Sequence, residues 1–170
     1  MATVTSKTGL QQRIFGGTPY GNKTVHKYQL DTNSSGGVVD GDSTAALASG
    51  DKVRLGKIPA GFELHGALVL VSTAFTASVT GKLGFEYADG VDDTQAAADA
   101  QSRPYVPQDD DYFGAAFALN TAGRYPASNT AVRPVTLPKD AFLILTTGGA
   151  ANAKVAAMDV LVEGVDRGQL

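Results

Sequence analysis

The sequence predicts an all-β fold, an antiparallel β-sandwich or jelly roll. Three observations lead there. Short runs alternate apolar and polar residues with the period of two that marks a half-buried strand. Clusters of Gly, Pro, Asn and Asp separate these runs, as turns and hairpin loops require. Helix signals are weak: the best candidate, residues 92–101, is Ala- and Gln-rich behind Asp92 and Asp93 but has almost no large apolar residue to pack, and Pro104 and Pro107 close it off. The 170 residues suffice for one domain with a real core, because a domain of this size buries about two-thirds of its unfolded surface. The chain has no Cys, so disulfides play no part.

In chain order, residues 1–22 read as an extended N-terminal arm, anchored by Ile14 and Phe15 within Gln11-Gln12-Arg13-Ile14-Phe15-Gly16-Gly17. Residues 23–170 read as the sandwich domain. Residues 24–30 set Val25, Lys27 and Gln29 against His26, Tyr28 and Leu30. Residues 51–58 place Val53 and Leu55 on one face and Lys52 and Arg54 on the other. Pro59-Ala60-Gly61 is a tight turn. Residues 62–73 are the strongest strand: they begin alternating and become continuously apolar, as a strand covered on both faces would. Residues 79–87 alternate Leu83, Phe85 and Tyr87 with Lys82, Gly84 and Glu86. Residues 88–111 form a long loop insertion, and connections of that length are commonly functional. Residues 112–119 are aromatic-rich and ambiguous. Pro134 makes residues 132–137 an edge or a bulge. Residues 141–147 and 155–162 are the last two strands, giving about seven or eight in all.

Several kinds of chemistry are disfavoured. Charged residues are 18% of the chain and the net charge is −3, a poor basis for phosphate binding, so no nucleic-acid partner is expected. No stretch approaches the roughly 20 apolar residues of a membrane span, and the first residues lack a signal-peptide apolar core, so a soluble protein made in the cytoplasm is expected. His26 and His65 both fall in strands; a metal or acid–base pair needs them adjacent and joined by a third group, and two half-exposed strand residues are the simpler account. No Ser sits in a nucleophile elbow. Asp109, Asp110 and Asp111, like Asp89, Asp92 and Asp93, form acidic loops that do not match the EF-hand spacing, so solvated turns are preferred over bound Ca²⁺. Paired glycines at 16–17, 36–37 and 148–149 precede no helix and read as turns rather than phosphate cradles. Tyr105, Tyr112, Phe113 and Phe117 form an aromatic group near the long loop: core or protein interface, or, if exposed, a sugar platform, though Trp is absent.

The run Gly50-Asp51-Lys52-Val53-Arg54-Leu55-Gly56-Lys57-Ile58-Pro59-Ala60-Gly61, leading into Phe62-Glu63-Leu64, resembles a pattern in small structural proteins of tailed bacteriophages. There, Asp-x-Val-x-Leu-Gly-x-Ile/Leu-Pro-Ala-Gly opens onto a hydrophobic strand. Thr73-Ala74-Phe75 and Gly81-Lys82-Leu83-Gly84-Phe85-Glu86 are similar to the same group, the capsid decoration or cement proteins.

The resemblance implies a jelly-roll-type fold on the capsid exterior of a virion, without enzymatic activity, cofactor or metal. It implies the major capsid protein as partner and a homodimer or homotrimer that bridges neighbouring capsid subunits. Ile14 and Phe15 of the arm, with Tyr105, Tyr112 and Phe113 near the long loop, are the expected capsid or subunit contacts. A receptor- or carbohydrate-binding sandwich and a head–tail or tail structural protein are the alternatives, and an enzyme is the least favoured.

Overall fold

A computed structural model describes residues 2–6, 23–93 and 105–168. Its strands are β1 (Thr3–Thr5), β2 (Lys23–Thr32), β3 (Lys52–Ile58), β4 (Phe62–Thr73), β5 (Val79–Tyr87), β6 (Asp109–Phe117), β7 (Gly123–Pro126), β8 (Val135–Thr136), β9 (Ala141–Gly149) and β10 (Ala156–Asp166). They form two sheets, ordered β1-β3-β9-β5-β6 and β2-β10-β4-β7, with β8 paired to β4. The predicted β-sandwich is the observed fold. Its strand pairs are antiparallel except that β1 runs parallel to β3.

The alternating residues explain the layering. Val53 and Leu55 of β3, Leu83 and Phe85 of β5, and Leu143 and Leu145 of β9 point inward from the first sheet. Tyr28 and Leu30 of β2, Leu64, Val69 and Val71 of β4, and Met158, Val160 and Val162 of β10 meet them from the second. The inner faces are apolar at alternate residues except where a register shift in β4 moves the inward positions from Leu64 to Val69, and burial of these side chains at about 25 cal/mol per Å² supplies the main folding force. One side of the sandwich closes where Tyr28 Oη donates to the Lys57 carbonyl across the sheets at 2.9 Å. The other closes where residues 127–130 cross between them: Ala127 N donates to Ala67 O, Ser128 N to Phe113 O and Thr130 N to Tyr112 O.

Three expectations are corrected, and a fourth falls almost wholly outside the described residues. The arm read over residues 1–22 begins with a strand: Val4 is core, and the backbone N–H groups of Ala2 and Thr5 are held by Asp51 and Asp42. Among the described residues strand β4 is not covered on both faces; Leu68 and Leu70 lie half-buried on the outer face of its sheet. The loop read as 88–111 ends earlier, because β6 starts at Asp109. The helix read over residues 92–101, with Asp92 or Asp93 as its cap, lies outside the described residues apart from those two.

Two polar fixed points hold the sandwich, one among its connections and one on an outer face. Asn152, fully buried, accepts from Thr76 N and Thr76 Oγ1 and donates to Thr32 Oγ1 and the Lys154 carbonyl. On the outer face of the first sheet, Glu86 takes Lys52 Nζ and Arg54 Nε, each at 2.7 Å. Burial pushes the Glu86 carboxyl up, but the hydrogen bonds and charges of Lys52 and Arg54 outweigh it and leave the pKa below the ordinary 4.5. A group depressed in the folded state stabilises fully above its unfolded pKa and loses that contribution as pH falls through the folded value. Glu86→Gln is therefore expected to flatten the acid side of a stability–pH curve below about pH 5. Urea midpoints measured between about pH 3 and 7 test this; parallel curves for the two proteins would refute it.

Candidate interaction surfaces

The two histidines do not form a site. His26 faces the core, its ring centroid 4.7 Å from that of Phe62, and burial lowers its pKa against the raising field of Asp166. His65 is exposed on the opposite face of the same sheet, with its Nε2 2.8 Å from Glu63 Oε1. Strand β10 lies between their two strands. No nucleophile or third ligand joins them among the described residues.

The acidic run opens β6. The carboxylates of Asp109, Asp110 and Asp111 converge within 4.8 Å of one another. Their oxygens are largely engaged: Thr130 Oγ1 and Asp111 N donate to Asp109, and Lys82 Nζ lies 3.6 Å from Asp110. The hydrogen bond with Asp109, then burial and the neighbouring charges, holds the Asp111 carboxyl above its usual range. The cluster is thus bonded within itself as well as to Thr130 and Lys82.

The long loop leaves the sandwich from a closed neck. Val106 N donates to Asp93 Oδ2, Gln108 N to Asp92 Oδ1, and Tyr87 Oη to the Val106 carbonyl at 2.6 Å. Lys139 spans Asp89 and the Val91 carbonyl and lies 4.5 Å over the Tyr87 ring. Val91, 61% exposed, and Tyr105, 45% exposed, flank this neck.

The expected contact residues separate. Tyr105 is at the surface. Tyr112 and Phe113 are 3% and 0% exposed, so they are core and offer no free contact face. Their rings stack edge-on at 4.9 Å, and Tyr112 meets Phe85 at 5.6 Å. Regular alternation would send one of the pair outward. Register shifts between β5 and β6 break the alternation and turn both inward. Ile14 and Phe15 lie outside the described residues.

A surface that the sequence reading missed lies beside this aromatic group. Where β6 emerges from residues 128–130, its outer edge opens into a cavity of about 330 Å³. Gly114, Ala115, Ala116 and Phe117 form one wall, and Tyr125, Pro126 and Ser128 the other. None of these residues is charged. The available signal was the run Gly114-Ala115-Ala116-Phe117-Ala118, small and uncharged where an edge strand usually carries a guarding charge.

Compared as a whole with solved structures, the chain has full-length counterparts. A chain in "Capsid of Ralstonia phage GP4" superposes with a TM-score of 0.64 at 12% identity, covering 97% of this chain and 98% of that one. The fold is shared with a phage-capsid chain. A chain in "Cyanophage Pam1 capsid asymmetric unit" gives 0.53 at 14% identity, over 91% and 94% of the two chains. No family model and no curated protein matches the sequence. Near-complete coverage in both directions means that the GP4 chain is about the same size as this one, so the match is not to one domain of a larger shell subunit. Identity of 12% leaves the fold as what is shared, carried by spacing and burial rather than by particular side chains.

Proposed function

We propose that this protein is a non-enzymatic structural component of a bacteriophage virion that binds the outside of the head and bridges neighbouring major capsid protein subunits. The observation that carries the reading is the end-to-end superposition on a chain from the GP4 capsid. The phage-like run Asp51 to Gly61 supports it, because it builds β3 and the turn that leads from one sheet into β4 of the other. The separated histidines and self-bonded acidic run support a binding role over a catalytic one. Affinity would come from repetition: modest contacts on a lattice add by effective concentration once the protein is itself an oligomer.

The face around the loop neck, with Tyr105 and Val91, is the capsid contact in this reading. Co-sedimentation with capsids of the parent virus tests it. The wild-type protein is expected to saturate at a fixed copy number per major capsid subunit. The double variant Val91→Ser/Tyr105→Ala is expected to bind about tenfold more weakly, as loss of an exposed aromatic anchor typically does. Absence of wild-type binding would overturn the function, and unchanged binding by the variant would overturn the assigned face.

A further inference from the structure

We propose that Asp40 is a site of spontaneous covalent modification, where the Asp40–Gly41 linkage closes to a succinimide and reopens as isoaspartate, unclamping strand β1. The proposal concerns the folded chain alone and does not rest on the virion role.

The chemistry needs only a carboxyl group and the amide nitrogen of the next residue. The Gly41 nitrogen attacks Asp40 Cγ, a C–N bond forms, and the protonated carboxyl group loses its hydroxyl as water. Water then opens the ring at one of its two carbonyls. One opening restores aspartate. The other routes the main chain through the side chain and adds one carbon to the backbone. Glycine is the most permissive following residue, because no side chain stands beside the attacking nitrogen. The sequence holds two such linkages, Asp40–Gly41 and Asp89–Gly90.

Their surroundings differ. Lys139 Nζ grips both oxygens of Asp89 at 2.8 and 3.1 Å, and Val91 N donates to Oδ1 at 3.0 Å. These bonds, that of Lys139 first, hold the Asp89 carboxyl below its usual range, so it stays ionised and lacks a leaving group. Gly90 N is itself bonded to the Tyr87 carbonyl at 3.1 Å. Asp40 is exposed, and its carboxylate has no hydrogen bond or ion pair among the described residues. The Gly41 nitrogen makes only a long bond, 3.3 Å, to the Val38 carbonyl. Asp40 also has φ of +57°, a conformation that costs an L-residue. A succinimide epimerises readily at Cα, and the D-residue takes this φ without that cost. The site leaves the reactant unrestrained and accommodates the product.

The consequence falls on β1. Gly41 forms an antiparallel bridge with Ser6, Asp42 N donates to the Thr5 carbonyl, and Thr5 N donates to Asp42 Oδ1 at 2.9 Å. Residues 41–42 thus hold the outer edge of a three-residue strand whose other edge pairs with β3. Gly41 is packed so closely that an added Cβ would lie 3.1 Å from Val38 Cβ and 3.2 Å from Val4 Cγ1. An extra backbone carbon lengthens the path by about 1.5 Å. The clamp on β1 and the packing on Val38 and Val4 cannot both survive that shift.

Ageing the purified protein at neutral pH in ¹⁸O-labelled water tests this, since every passage through the ring takes up one solvent oxygen. Peptide mass spectrometry is expected to find label and isoaspartate at Asp40, accumulating several-fold faster than at Asp89. Asp40→Glu is expected to abolish the label at residue 40, because the six-membered ring closes far more slowly. Hydrogen exchange of the aged wild type is expected to show lost protection at the Thr5 and Asp42 amides, with the aged Asp40→Glu protein unchanged there and β10 protected in both. Absence of label at Asp40, equal labelling of Asp89, or full protection of Thr5 and Asp42 in isoaspartate-containing protein would each overturn the proposal. None of these measurements involves capsids, so failure here and failure of the proposed function are read separately.

Discussion

Asn152→Ala is expected to lower the free energy of unfolding by about 4 kcal/mol, because it leaves several buried groups unpaired at about 1–3 kcal/mol each. The amide oxygen receives the Thr76 backbone N–H and hydroxyl, and the amide nitrogen serves Thr32 Oγ1 and the Lys154 carbonyl. Thr32 Oγ1 in turn accepts Ala156 N at 2.8 Å and donates to the Lys154 carbonyl. The end of β2, the β4–β5 connection and the segment before β10 thus meet at one side chain. Water has poor access to replace it, since Asn152 is fully buried. Urea unfolding should show a lower midpoint at an unchanged slope. A loss below about 1 kcal/mol would mean that the loops hold their positions without the amide.

Gly84→Ala is expected to cost about 3 kcal/mol or more, at the upper end of overpacking effects. A methyl carbon at residue 84 would stand 2.0 Å from the Asp109 carbonyl oxygen and 2.4 Å from the Asp110 carbonyl carbon. These are backbone atoms and cannot swing aside like a side-chain tip. The start of β6 must lift off β5, which strips cover from Ile144 and disturbs the acidic run beside it. Hydrogen exchange should show the loss of protection concentrated in β5 and β6 rather than in β10. Uniform protection at wild-type levels would contradict the crossing described here.

Much of this fold is legible in the sequence, for a simple reason. Strands β3, β5 and β10 alternate apolar and polar residues, which marks both type and position, whereas β9 is legible as a continuous apolar run, buried from Leu143 to Thr147. Strand β1 is not legible, because Thr3-Val4-Thr5 has one apolar residue and is held by Asp42 and Asp51, which lie far along the chain. Strand β7 is hidden for a related reason: Gly123-Arg124-Tyr125-Pro126 has little strand propensity and is defined by pairing with β4. The candidate surface is only half legible. Tyr105 is where a long loop suggests it should be. Tyr112 and Phe113 follow a broken register that no local pattern announces, and the groove they border is assembled from two edge strands of different sheets.

The order of strands has a consequence for how the protein is made. Strand β9 sits between β3 and β5, and β10 sits between β2 and β4. Until Ala141–Asp166 has emerged from the ribosome, neither sheet has its middle, and β3 and β5, like β2 and β4, have no common partner. Earlier segments can form the outer pairs β1–β3, β5–β6 and β4–β7 but no continuous sheet, so completion waits for late translation and then engages both layers together. A nascent chain stalled before residue 141 should remain protease-sensitive throughout, and its uncovered apolar strands are where a holding chaperone would bind.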